Sequence, residues 1–554
     1  MEGYKRALCQ LPPDTMLSHS ILLQLVCAAW VPLRSSATPV GAFPDEERLP
    51  KFWYDLSKER LQRSLDYQDS TKTAKNLVLF IGDGMGLNTI TATRILKGQL
   101  GGKSGEEYSL AMDSFPHTSL SKTFCTDSQI ADSTCAATAF LCGVKTNKLT
   151  VGLSANAIYD QCNTTAGNEV PSILRWAKEA GKSVGLVTTT IVQHATPAPA
   201  YAHCVNRYWY SDSSIPEAQR GHGCTDIAHQ LVHNIPDIEV IMGGGRKYMT
   251  PQSTPDPEYP ADPNSQGRRL DGVNLIDKWK ELKPGKKAAY VWHKTALDQV
   301  DPEQTDYLMG LFEPGDMQYE LTRNNSTDPS ITDMVDKAIR VLSRNPQGFF
   351  LLVEGGKIDV GHHYGKAKLA LYETMLMDEA VARAKELTDD RETLTVVSAD
   401  HSHTLTLGGY TDRGNPIFGF APQQSDVDGM HYTSLLYANG PGYRLASGSR
   451  ADPRNDSTYN KDYMQQSAVP LTQETHAGED VPVFARGPWS HLFKGTNEDT
   501  FIAHAMAYAA CLGPFASRCN QTSTAMKPTS RAAPNLSAPG PRVLLLLLYC
   551  AMAL

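Results

Sequence analysis

Three short apolar runs, each closed by an acidic residue, constrain this 554-residue chain more than any other feature of it. Asn76-Leu77-Val78-Leu79-Phe80-Ile81-Gly82 leads into Asp83, Phe349-Phe350-Leu351-Leu352-Val353 into Glu354, and Leu394-Thr395-Val396-Val397-Ser398-Ala399 into Asp400. Short, apolar, β-branched runs read as strands buried on both faces, the condition of a parallel sheet covered by helices. Residues just past the carboxyl ends of such strands line the ligand crevice of an open α/β sheet, so the three acids are expected to converge. Helical patterns over 169–180, 331–343 and 366–387 alternate with strand-like segments at 183–187 and 239–242. That alternation predicts one large α/β domain with a central, mostly parallel β-sheet flanked by helices. From about 408 to 475 the texture changes to short strand-like pieces with Gly and Pro, which predicts a small inserted domain.

Nucleophile and metal ligands gather around those acids. Ser133 lies in Asp132-Ser133-Thr134-Cys135-Ala136-Ala137-Thr138-Ala139, at the start of a helix-like stretch. Asp359 and His363 are four apart, so both turn toward one ion from a single turn of chain. His401 follows Asp400 directly, and His476 sits in Glu474-Thr475-His476-Ala477-Gly478. Mixed nitrogen and oxygen donors suit zinc, whereas carboxylates with a hydroxyl suit magnesium, so two ion types are implied. Singly, each residue has a plainer reading: a strand-end Asp as a turn or cap residue, Asp359 and His363 as a solvated helix turn, Ser133 as a helix N-cap. Their joint occurrence at strand ends outweighs those readings.

The segments Gly82-Asp83-Gly84-Met85-Gly86, Asp132-Ser133, Val353-Glu354-Gly355-Gly356, Asp400-His401-Ser402-His403 and Thr475-His476-Ala477-Gly478 resemble the motifs of the alkaline phosphatases. The similarity runs from about Pro50 to Cys519 and is to the animal enzymes rather than the shorter bacterial ones. It implies an alkaline phosphatase-like sheet with a small crown domain, and hydrolysis of phosphate monoesters at alkaline pH through a phosphoserine on Ser133. It places Asp359, His363 and His476 on one zinc, and Asp83, Asp400 and His401 on a second that also holds Ser133. Asp83, Glu354 and Thr196 would share a magnesium, and Arg207 would fork onto the phosphate. A calcium is implied at Glu258, the Phe312 carbonyl, Glu313 and Asp328. Thr134 and Cys135 depart from the smaller residues usual after the nucleophile, and Val360 stands where animal members usually have His. The rival readings are a two-zinc phosphodiesterase on the same scaffold and a catalytically weakened cell-surface binding protein.

The resemblance also implies a homodimer, in which a helix at about 50–66 carrying Phe52-Trp53-Tyr54 embraces the partner. It pairs Cys162 with Cys224 and Cys511 with Cys519, and makes Cys142 a buried free thiol. For Cys125, Cys135 and Cys204 it offers nothing, and spacing alone leaves a Cys125 to Cys135 bridge open. Acidic residues outnumber basic ones, 60 to 52, for a formal charge of −8, the wrong sign for a nucleic-acid partner.

Both termini read as processing signals. Lys5 and Arg6 precede an apolar run over 21–31 that is too short to span a bilayer, as in a secretory signal peptide, and residues 1–41 are expected to be removed. The tail over 543–554 is apolar, uncharged and terminal, behind a Pro-rich spacer and small residues near 530–533. That order predicts a glycosylphosphatidylinositol anchor signal over 531–554, a mature catalytic domain over 42–530, and an enzyme on the outer face of the plasma membrane. Sequons at Asn163, Asn324, Asn325, Asn455, Asn520 and Asn535 fit a secreted glycoprotein.

Overall fold

The computed structural model describes residues 45–446 and 448–520; the signal peptide, the anchor tail and Asn535 lie outside the described residues. Ten strands form the central sheet: β1 (Asn76–Gly82), β2 (His117–Lys122), β3 (Ser183–Ile191), β4 (Val240–Gly244), β5 (Ala288–Val291), β6 (Tyr307–Leu311), β7 (Phe349–Gly355), β8 (Thr393–Ala399), β9 (Val481–Arg486) and β10 (Thr496–Glu498). Their order is β10-β2-β9-β8-β1-β7-β3-β4-β6-β5. Every neighbouring pair is parallel except those made by β9, which runs against both β8 and β2. The mostly parallel sheet expected from the apolar runs is therefore the one observed.

Each central strand feeds two cores. Leu77, Leu79 and Ile81 of β1 pack into one apolar cluster while Val78 and Phe80 pack into the other, the period of two that a sheet covered on both faces requires. Helices cover both faces; among the helices are α1 (Pro50–Asp66), α2 (Leu87–Leu100), α3 (Ser133–Cys142), α4 (Ile331–Leu342), α5 (Lys357–His363), α6 (Ala367–Leu387) and α7 (Thr500–Ala510), of which α1 takes no part in the covering. On one face lie α3 and α7, through Ala136, Phe140, Ile502 and Met506; on the other lie α4 and α6, through Met334, Val335, Met377 and Val381. Each large side chain buried this way contributes about 1.5–3 kcal/mol. α4 begins where the sequence says it must: Ser330 and Asp333 form a reciprocal capping box ahead of an apolar stripe.

The helix expected over 169–180 is shorter, Ile173–Glu179, because the Ser172 hydroxyl caps it by accepting from Arg175 N, with Pro171 just outside. Past β8 the chain forms a small three-stranded sheet of Leu405–Leu407, Leu435–Gly440 and Ser467–Pro470. It packs on α2 and α6 through Leu405, Phe418 and Leu435 against Ile95, Leu96 and Leu371. A short antiparallel pairing, His476–Ala477 with Ser402–His403, returns the chain to the carboxyl end of β8. α1 stands apart. None of its residues is buried, and Tyr54 and Leu65 are 74% and 69% exposed.

Candidate active site

Strand register brings the three acids together. Gly82 is level with Gly355 on one side and Ala399 on the other, so Asp83, Glu354 and Asp400 emerge side by side at the carboxyl edge. The turn after Asp83 needs glycine: Gly84 has φ +71°, and a Cβ there would meet the His403 ring at 2.5 Å. Gly84 N and His401 N donate to Asp400 Oδ1 at 3.0 and 2.9 Å. Asp400 Oδ2 and both oxygens of Asp83 are buried without a hydrogen-bond partner. Burial, with the charges of Asp400, Asp359 and Glu354, pushes the Asp83 carboxyl well above the ordinary range.

The histidines show what those oxygens face. His363 Nδ1 lies 2.6 Å from the Glu474 carbonyl oxygen, and His476 Nδ1 lies 2.7 Å from that of Ala131. A carbonyl oxygen only accepts, so each Nδ1 donates and each neutral ring turns a bare Nε2 lone pair inward. The two Nε2 atoms are 3.1 Å apart, and Asp359 Oδ1 is 3.3 and 3.4 Å from them. Two lone pairs and a carboxylate oxygen that close repel one another unless a cation sits among them. His401 repeats the arrangement: its Nδ1 is against the Ser402 carbonyl, and its Nε2 is 3.2 Å from Asp400 Oδ2, 3.4 Å from Asp83 Oδ1 and 3.3 Å from Ser133 Oγ. Burial lowers the pKa of both His363 and His401, which favours the neutral, ligating form.

Ser133 is buried as the first residue of α3, but it is not the cap. Asp132 is, with Oδ1 accepting from Cys135 N and Leu149 N, and Oδ2 from the Thr134 hydroxyl. The same Oδ2 accepts from Arg207 Nη1 at 3.0 Å, leaving Arg207 Nε buried and unpartnered. Burial disfavours the charges of both partners, but each holds the other ionised.

Glu354 Oε2 accepts from the Thr188 and Thr190 hydroxyls, while Oε1 has no partner; burial raises this carboxyl to about 7. The Thr196 hydroxyl is buried beside it. His194 joins Asp83 and Glu354 in one group of potential ligands, with its Nδ1 unpartnered; burial, then the Arg207 charge, lowers its pKa to about 4. Sequence reading named Thr196 and passed over His194 two residues earlier. It also assigned no role to His403, whose Nε2 is 2.7 Å from Asp359 Oδ1 and whose Nδ1 contacts Glu474 Oε2. Burial of His403 is outweighed by Glu474 and Asp359, which lift it to about 10 and so fix Asp359 in place. Away from this centre, Glu258, Glu313 and Asp328 do converge, and Phe312 precedes Glu313 with its ring in the core. Burial raises Glu313 to about 7 and Asp328 to about 6.

A family model described as alkaline phosphatase matches residues 74–512. The chain belongs to the alkaline phosphatase family. It is 55% identical over 507 residues to the tissue-nonspecific isozyme of Felis catus, covering 91% of this chain and 95% of that one. It is 57% identical over 474 residues to the alkaline phosphatase of Gadus morhua, covering 85% and 99%. Among solved structures, the Thermus thermophilus alkaline phosphatase aligns with a TM-score of 0.57 at 21% identity, covering 85% of this chain and 95% of that one. The enzyme of the Antarctic bacterium TAB5 aligns at 0.56 and 23%, covering 80% and 99%. At those identities the structures speak for the fold.

Proposed function

We propose that this enzyme hydrolyses phosphate monoesters by forming and then breaking a phosphate ester on Ser133. The hydrolysis itself, and its dependence on metal, follow from family membership. The observation that carries the site assignment is the pair of Nε2 atoms of His363 and His476 facing each other beside Asp359, an arrangement that a metal cation satisfies when both rings are neutral. Asp359, His363 and His476 fit one zinc, and Asp83, Asp400 and His401 a second; Asp83, Glu354 and Thr196, with His194 adjacent, fit magnesium. Bound there, the ions would supply Lewis-acid charge that favours the Ser133 alkoxide and neutralises charge on the phosphoryl group. Arg207 binds and orients that group through the N–H donors that Asp132 does not occupy, and Asp132 keeps the guanidinium from swinging. Burial of Ser133 at the positive end of α3 excludes water and favours the incoming dianion. Glu258, Glu313, Asp328 and the Phe312 carbonyl fit a calcium in a supporting role. Turnover of an aryl phosphate at pH ~9–10, outside the range of histidine bases, with an aryl phosphodiester turned over far more slowly, is the expected result. Equal or faster diester cleavage overturns the reading.

We further propose a mature chain over 42–530 with a crown at about 408–475, held at the cell surface by a glycosylphosphatidylinositol anchor. No helix of the described residues is long and apolar enough to cross a membrane. A phosphatidylinositol-specific phospholipase C should release the enzyme from cells, and mass spectra retaining the 543–554 tail would refute the anchor. A homodimer explains α1, whose exposed Trp53, Tyr54, Leu61 and Leu65 have no cover on their own subunit. Deleting the chain through Asp66 should weaken dimerisation by light scattering; a fully dimeric product of equal thermal stability removes the case.

A further inference from the structure

Cys125 and Cys135 form a disulfide at a Cα separation of 5.8 Å, and Cys135 is two residues beyond Ser133. Ten residues of spacing permit this pairing without requiring it, and the roles proposed for Ser133 and the metal ligands give it no task. The bridge closes the segment between β2 and α3, and that segment carries three attachments to the catalytic centre. The Ala131 carbonyl accepts from His476 Nδ1, Asp132 holds Arg207, and Ser133 faces His401.

Apart from the bridge, polar contacts hold the approach to α3: the Thr126 hydroxyl donates to Asn147 Oδ1 at 2.6 Å and Lys145 Nζ to the Phe124 carbonyl at 2.7 Å. Residues 126–130 form no strand or helix and are mostly exposed, anchored by Thr126 N to the Thr146 carbonyl, Lys148 N to Asp127 Oδ1, and a turn from Cys125 N to the Ser128 carbonyl. The two cysteines that flank it are 3% and 2% exposed, so the bridge joins the exposed loop to the protein at buried points. Cys135 is also tied to the cap itself. Its N–H donates to Asp132 Oδ1, and both sulfurs lie within 4.8 Å of an Asp132 oxygen. A shift of Cys135 therefore moves Asp132, and through it the guanidinium that orients phosphate.

We propose that the Cys125–Cys135 bridge is a positioning element of the catalytic centre, setting where Ser133 and the Asp132–Arg207 pair stand, beyond any effect on the stability of the fold. The inference rests on Ser133 as nucleophile. An ordinary stabilising bridge would lower the melting temperature when cut and leave kinetics below that temperature alone. A positioning bridge acts on transition-state geometry, where displacements well under an ångström are felt.

The test uses the full-length enzyme made in an oxidising compartment, with bridge connectivity confirmed by non-reducing mass mapping, and the variants Cys125→Ala, Cys135→Ala and both together. At a temperature well below unfolding and at equal zinc content, kcat/KM for an aryl phosphate should fall by about tenfold in each. Inhibition by inorganic phosphate should weaken in parallel. The double variant should be no worse than either single one, because the bridge is lost as a unit. Kinetics and phosphate inhibition within twofold of the parent, with only the melting temperature lowered, would overturn the proposal. So would losses that multiply in the double variant, or mass mapping that finds the two thiols free. If the variants do not fold, limited phosphine reduction of the parent, with alkylation mapped to Cys125 and Cys135, gives the same comparison on folded protein. Ser133→Ala in parallel keeps the readings apart: unaffected cysteine variants beside a dead Ser133→Ala remove only the positioning role.

Discussion

Ser133→Ala should give a folded, metal-binding protein whose kcat for an aryl phosphate is down by about 10³-fold or more, with no phosphoenzyme trapped at mildly acid pH. The fold should tolerate the change because Ser133 contributes little to it. The α3 cap is Asp132, whose carboxylate takes Cys135 N, Leu149 N and the Thr134 hydroxyl whether or not residue 133 carries an oxygen. The Ser133 hydroxyl has one close partner, His401 Nε2 at 3.3 Å, so its removal costs about 1 kcal/mol of hydrogen bonding at most. Alanine, moreover, is a strong helix former at the start of α3. Activity within tenfold of the parent would show that another group carries the phosphoryl transfer. A melting temperature reduced as much as the activity would show instead that residue 133 is structural.

The proposed centre was legible where its candidate ligands sit on periodic or strand-terminal positions. Asp83, Glu354 and Asp400 are marked by the apolar runs before them, and the sheet register delivers the convergence those runs imply. Asp359 and His363 are marked by helical spacing, and Ser133 by the small-residue helix it opens. The residues that orient these ligands were harder to see. Glu474 and His403 meet because the chain returns antiparallel from the inserted strands, a contact across 71 residues that no local pattern announces. The alternation from His401 to His403 along an extended segment was the available signal, since residues two apart project to one side. His194 carried a similar hint, two residues before Thr196. The Cys125 to Cys135 pairing depends on how the loop after β2 folds back on α3, so ten residues of spacing permit it without requiring it.

Removing the metals by chelation should abolish turnover, by about 10³-fold or more, and lower the melting temperature by on the order of 10 °C, since each site held 1,000-fold above its dissociation constant contributes about 4 kcal/mol. The gap between loaded and stripped enzyme should also widen as pH rises above 6.5. In the stripped fold, burial and neighbouring carboxylates raise the Asp83 carboxyl well above its ordinary value, and burial raises Glu354 to about 7. An acid whose folded pKa is raised keeps a proton that the unfolded chain releases, so stability is lost as pH climbs from the unfolded value through the folded one. Among the buried histidines, His401 and His194 are lowered in the fold, so their contribution rises with pH up to 6.5 and is constant above it, whereas His403, lifted to about 10 by Glu474 and Asp359, loses its contribution as pH climbs above 6.5, in the same direction as the acids. Buried acids away from the metals, Glu373 and Asp499, both raised to about 7, titrate in loaded and stripped enzyme alike and drop out of the difference. If Asp83 and Glu354 hold metal as proposed, in the loaded enzyme they would be ionised and paired with cations, so their slope would be absent. Differential scanning calorimetry of both forms at pH 6.5 and 8.5 reads the effect. A gap that is constant or narrower at the higher pH would mean that these carboxylates do not crowd one another in the empty site, and with that the case for their holding the cations would fall.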